Sequence, residues 1–149
     1  GLPVTADPLD GFVGPLGGVL AGLRWAERHA PAARFVATVA TDTPFFPDDL
    51  VARLAAAAGT ARPTIALARS ADWIHPVFGL WPVALVEDLQ HAIEVDDLHK
   101  VLVWVRRHPN VEVPFDPIAI AGRSFDPFFN INTPDDMASA EALLAEKVR

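Results

Sequence analysis

The chain has 149 residues, enough for one domain with a sizeable core. Its net charge of −7 argues against a broad nucleic-acid surface, which needs clustered Lys and Arg. With no cysteine it excludes disulfides, thiol catalysis and thiolate metal sites, and its 51% apolar content includes no run approaching a membrane span. A cytoplasmic protein is expected.

Elements alternate along the chain. Residues 2–7 (LPVTAD) read as a short strand ending in a carboxylate, Asp7. A glycine-rich loop, residues 10–18, leads into a helix over 19–28, where Val19, Leu20, Leu23 and Ala26 recur at helical spacing. Residues 35–40 (FVATVA) are apolar on both faces, which predicts a central, buried parallel strand. A helix is expected over 47–58 with acidic residues in its first turn, where the helix dipole favours them. Strands follow at 64–68 and 75–81, the second containing Gly79. Helices are expected over 82–92, with Pro82 at the first position, and over 97–107. A short strand at 111–113 and an extended segment at 128–132 precede a final helix, with Thr133 as N-cap and Pro134 at N1. This alternation predicts an α/β fold, a mostly parallel sheet with helices on both faces. No repeat or linker divides the chain, so residues 1–149 read as a single domain.

Three segments carry chemistry. The first is VATDTPFFP, residues 39–47. Ligands of open parallel sheets bind beyond the carboxyl ends of the strands, and Asp42 sits at such an end. Pro44 cannot extend a ladder and biases Thr43 away from helix, so the turn holds Asp42 at the lip of the sheet. One carboxylate there suits Mg²⁺, which leaves its other positions to water and phosphate. The plain alternative is a turn capped by an Asx-type hydrogen bond.

The second segment is GPLGG, residues 14–18, where glycine permits close backbone approach and a helix start offers N–H groups. An ordinary tight turn is the alternative; the spacing fits neither a Walker loop nor a dinucleotide fingerprint, which disfavours a dehydrogenase-like domain. The third is FNINTPDD, residues 129–136. Asn130 and Asn132 alternate, so an extended backbone puts both amides on one side, able to donate and accept at once. Bracing the last helix is the alternative role.

In that order, VTADPL, GPLGG, ATDTPFFPDDL, HPVFGLW and FFNINTPDD resemble the molybdenum cofactor guanylyltransferase family over nearly the whole chain. The resemblance implies a Rossmann-like nucleotidyltransferase fold and transfer of GMP from GTP to molybdopterin, with or without its metal, releasing pyrophosphate. It implies Asp42 as Mg²⁺ ligand and catalytic residue. Asp7, Gly14, Pro15, Leu16 and Asp42 then contact the nucleotide, and Asn130 and Asn132 lie on the molybdopterin side. Lys100, after His99, falls at the family's acceptor-phosphate position and is implied as an acceptor-binding residue, although the family usually has Arg there, with its planar fork. Partners implied are GTP, molybdopterin and the apoproteins of molybdenum enzymes or their chaperones. The family's phosphate-binding loop, LAGGxSxRMGxDK, has no counterpart here, so the N-terminal part of the domain is expected to be missing and the fragment alone inactive.

An acceptor phosphate is already anionic, so positioning and charge neutralisation are what the transfer needs. No Ser–His pair is evident. His75, at a strand start before Pro76, is placed to face the acceptor, with a structural role the favoured alternative; Trp25 and Trp104 read as core, and Trp73 as a loop residue able to stack a heterocycle. Arg106 and Arg107 read as a solvated helix end. Alternatives are a cytidylyl- or sugar-phosphate nucleotidyltransferase of the same fold, or a non-catalytic nucleotide-binding or cofactor-delivery domain.

Overall fold

A computed structural model describes residues 4–5, 14–120 and 122–147. The first helix, α1 (Pro15–His29), starts four residues earlier than its apolar spacing suggests. Pro15 fits there because an N1 residue needs no N–H donor. Strand β1 (Phe35–Thr38), helix α2 (Leu50–Ala58), strands β2 (Ile65–Ser70) and β3 (Trp73–Pro82), helices α3 (Val86–Glu94) and α4 (Val101–Val105) and strand β4 (Asn110–Phe115) follow. A small hairpin, β5 (Ile118–Ile120) with β6 (Arg123–Phe125), and helix α5 (Pro134–Lys147) complete the described chain.

The main sheet has the order β1-β3-β2-β4. β2 and β4 pair in parallel, while β3 pairs antiparallel with both β2 and β1. β1, β2 and β4 therefore share one direction and β3 opposes them. Three of the four strands thus run the same way, in keeping with a mostly parallel sheet, and β3 is the exception for a local reason. Only Ala71 and Asp72 separate it from β2, and so short a connection can join only antiparallel neighbours. The same insertion corrects the reading of β1, which is an outer strand of the described sheet and largely half-buried.

Side chains alternate across the sheet. Ile65, Leu67 and Trp81 face α1, α3 and α4, packing with Leu16, Leu20, Leu23, Leu89 and Trp104. Ala66, Ala68, Phe78 and Leu80 face α2 on the opposite side, packing with Leu50, Leu54, Phe115 and Phe128. Helices thus cover both faces, as the pattern predicted. Each fully buried Leu or Phe contributes roughly 1.5–3 kcal/mol relative to exposure.

Helix boundaries shift where the backbone dictates. α2 starts at Leu50, so Asp48 and Asp49 precede it and no acidic residue occupies its first turn. Pro82 closes β3, and a 3-10 turn over Val83–Leu85 precedes α3. Asp97 has φ +51°, a left-handed conformation that keeps the chain out of helix until Val101. Trp104 is core as expected, but Trp25 is 38% exposed and stacks on His29, a turn away on α1.

Candidate functional site

The polar constellation lies at the carboxyl ends of β1 and β2. After β1 the chain turns through Asp42 and Thr43, and the segment 126–132 crosses these ends as a strap. The Ile131 N–H donates to the Asp42 carbonyl at 2.8 Å. The Thr43 hydroxyl, 2% exposed, donates to Asn130 Oδ1 at 2.8 Å and lies 3.4 Å from Asp42 Oδ1. Ile131 packs against the Phe45–Ala140 cluster, while Asn130 and Asn132 on either side of it are exposed. The asparagine alternation inferred from sequence is therefore present, and its tie to the Asp42 turn joins two of the three signal segments.

Asp42 is exposed, and its Oδ2 has no hydrogen-bond partner among the described residues. No group of three or more His, Asp or Glu that could hold a metal occurs among them. The chemistry of one accessible hard carboxylate fits Mg²⁺ arriving with a triphosphate, since that ion keeps most positions for water and phosphate oxygens.

The strap's other end is fixed at β2. Ser70, 3% exposed, donates its hydroxyl proton to Asp126 Oδ2 at 2.7 Å, and His75 Nε2 lies 2.6 Å from the Ser70 hydroxyl oxygen. Asp126 Oδ1 accepts the Phe128 N–H at 2.8 Å, which forms the turn into the strap. His75 packs on the Phe128 ring, 4.5 Å between centroids, and meets Phe78 edge-on. Burial pushes the His75 imidazole below its ordinary value, with the Asp126 charge acting the other way.

This Ser–His–Asp group corrects the expectation that no Ser–His contact exists. Its signal was hidden in β-pairing. Leu67 pairs with Gly79 but Ala68 pairs with His75, so Pro76, Val77 and Phe78 form a bulge. Strict alternation would put Ile74 with Phe78; instead Ile74 packs on the α1 side and His75 beside Phe78 on the other. The bulge inverts the facing and delivers His75 to Ser70. Thr38 secures the bulge: its hydroxyl donates to the Val77 carbonyl at 2.7 Å and accepts the buried Trp81 indole N–H at 2.8 Å.

The remaining predicted residues divide. Asp7 lies outside the described residues. Gly14 caps α1 with φ +66° and ψ −156°, a conformation open essentially to glycine alone. Pro15 and Leu16 are in the first helical turn rather than a loop. The Leu16 side chain is wholly buried, so only its backbone could meet a ligand. Lys100 leads into α4, which packs on the face opposite the strap; no described contact joins it to Asp42, Asn130 or Asn132. Trp73 is the first residue of β3, 74% exposed, rather than a loop residue. Arg106 is exposed, and Arg107 pairs with Asp96 at 2.6 Å. A cavity of about 450 Å³ lies between α1 and β1, lined by Gly22, Trp25, Ala26, Phe35 and Val36. It has apolar walls and is not part of the polar constellation.

The MobA-like NTP transferase domain profile matches residues 1–111. A molybdenum cofactor guanylyltransferase of Rhodopseudomonas palustris (strain HaA2) is 51% identical over 144 residues, covering 95% of this chain and 64% of that protein. One from Bradyrhizobium sp. (strain ORS 278) is 47% identical over 149 residues, covering 100% of this chain and 68% of that protein. The chain thus spans about two thirds of the length of the curated relatives it matches. The crystal structure of molybdopterin-guanine dinucleotide biosynthesis protein A from Archaeoglobus fulgidus superposes with TM-score 0.63 at 26% identity, covering 87% of this chain and 62% of that one. No described helix is long and apolar enough to cross a membrane.

Proposed function

The chain belongs to the MobA-like NTP transferase family, and we propose that the protein it comes from transfers GMP from GTP to molybdopterin or molybdenum-molybdopterin in the cytoplasm. An acceptor phosphate oxygen bonds to the α-phosphorus of GTP, the α–β bridging bond breaks, and pyrophosphate leaves with its electron pair. The observation that carries this reading is the locked pair of segments: the Asp42 turn bonded to Asn130 and Ile131 at the sheet's ligand-binding edge.

Each residue then has a task. Asp42 would hold the cation that accompanies the triphosphate, and Mg²⁺ bound there would supply charge neutralisation at the phosphates. Thr43 fixes the Asn130 amide, leaving its NH₂ group to donate to the acceptor. Asn132 adds a second exposed amide beside it. Gly14 starts α1 where backbone N–H groups face a nucleotide, with Asp7 before it. Lys100 serves the acceptor phosphate only if the complete protein brings it closer. Delivery of the product to molybdenum-enzyme apoproteins or their chaperones follows from the same reading.

The test is ligand-induced thermal stabilisation of the full-length protein with Mg²⁺ and GTP, CTP or ATP, alongside Asp42→Ala. A GTP-selective rise that shrinks in Asp42→Ala is expected, because a ligand binding only the native state stabilises it by mass action. A CTP-selective rise moves the function to the cytidylyl branch, and no rise with any nucleotide removes the transferase reading.

A further inference from the structure

The Asp126–Ser70–His75 group has no role in the transfer as described so far, yet it is polar, partly buried and adjacent to the strap. Its hydrogen bonds fix a direction. A carboxylate only accepts, so Ser70 must give its single proton to Asp126. The Ser70 oxygen can then only accept from the imidazole, and at 2.6 Å it does so from Nε2–H. The hydroxyl proton thus lies toward the carboxylate and not toward histidine, the reverse of the arrangement in serine nucleophilic catalysis. Neutral His75 therefore keeps its proton on Nε2 and leaves an unshared pair on Nδ1, which has no partner among the described residues. The lowered basicity of the half-buried ring keeps it neutral, an acceptor rather than a cation, near neutral pH.

His75 lies over Phe128, which is two residues before Asn130 and hydrogen-bonded through Asp126 to the same group. We propose that His75 is a recognition residue of this site. Its Nδ1 accepts a hydrogen bond from an N–H of the 2-amino-4-oxopyrimidine ring shared by guanine and pterin, while Ser70 and Asp126 fix the tautomer. The inference rests on the guanylyltransferase reading above and adds to it the group that reads the ring.

Two variants of the full-length protein separate recognition from structure. His75→Gln keeps an amide donor for Ser70 but has nothing at the Nδ1 position. Asp126→Asn keeps an oxygen for the Phe128 N–H but presents NH₂ to Ser70. That reverses the chain, so Ser70 donates to Nε2 and the imidazole proton moves to Nδ1. Nitrogen-15 shifts of the His75 ring report the tautomer directly. Binding of Mg²⁺-GTP is read by calorimetry and of pterin-6-carboxylate by its fluorescence.

The wild type is expected to carry Nε2–H and Asp126→Asn to carry Nδ1–H. Both variants should weaken the same one of the two ligands about tenfold and leave the other within twofold. Loss on the pterin arm assigns His75 to the acceptor, and loss on the GTP arm assigns it to the base. If the wild type binds Mg²⁺-GTP normally and neither variant changes either ligand beyond twofold, His75 is structural and the proposal is overturned. An Nδ1–H tautomer in the wild type overturns it equally. A wild type that binds no nucleotide sinks the transferase reading itself, a result recognisably different from either.

Discussion

Replacing Gly79 by alanine tests whether the β3 bulge is held by close packing. A Cβ built on Gly79 would lie 2.7 and 2.8 Å from two ring atoms of Trp81 and 2.9 Å from a Leu67 methyl. Both neighbours are buried, at 0% and 2% exposure, so neither can swing into solvent. Overpacking of this kind costs about 1–3 kcal/mol. Losing the freedom of glycine in the unfolded chain offsets about 0.4–1 kcal/mol. If the indole rotates to make room, it gives up its bond to Thr38, worth about 1 kcal/mol. The net is a loss of about 2 kcal/mol, which lowers the melting point by about 4–8 °C in a domain of this size. Urea titration with calorimetric melting measures it, and Leu67→Ala, itself destabilising, should combine with it less than additively because one of the clashing groups is then gone. A Gly79→Ala protein as stable as wild type, with Trp81 fluorescence unchanged, would show that the packing around the bulge is loose and refute the reasoning.

Gly14→Ala places a side chain at φ +66° and ψ −156°, at a cost of about 1–3 kcal/mol in strain, although nothing lies within 4 Å of the new methyl. Denaturant midpoints should fall accordingly. At α5 the Thr133 hydroxyl accepts the Asp136 N–H, while Asp136 Oδ2 accepts the N–H groups of Asn132 and Thr133. Thr133→Ala should cost about 1 kcal/mol and raise amide exchange in the first turn of the helix. Those same bonds hold the Asp136 carboxyl below its usual range, so its contribution is complete above pH 3.8 and fades as pH falls through the lower folded value. His75 titrates in a separate window. Its folded value is depressed below 6.5, so the unfolded chain binds the proton first and stability declines as pH drops from 6.5. In His75→Gln that part of the decline should vanish from melting curves taken between pH 5 and 7.

Much of the fold was readable because apolar periodicity and turn residues agree. Pro134 after Thr133 marked the start of α5, and the double-faced apolar run Ile65–Leu67 marked a buried strand. What escaped was pairing. Nothing in the run 64–81 distinguishes two parallel strands from a hairpin except the brevity of the Ala71–Asp72 connection. The bulge that turns His75 toward Ser70 depends on register, which a single strand does not carry. Of the site, Asp42 and the two asparagines could be singled out locally, because a carboxylate after a strand and amides two apart are local patterns. The Ser70–Asp126 bond could not, since its partners stand 56 residues apart with no shared motif. Leu16 shows the opposite error: a segment pattern placed it near ligand, while its own apolar side chain went to the core.

The strap has a consequence for the order in which the molecule assembles. Its ties to the sheet close loops of 87 residues at Asn130 and 56 at Asp126, whereas β2 and β3 meet across two. Closing a loop costs chain entropy that rises with its length, and contacts of high sequence separation form slowly. The hairpin is therefore a fast, local event, and the constellation around Asp42 is completed late. On a ribosome the Asp42 turn leaves the tunnel long before residues 126–131 are made, so a growing chain holds a carboxylate-bearing turn but no site. Competence at this edge of the sheet arrives only with residues 126–131.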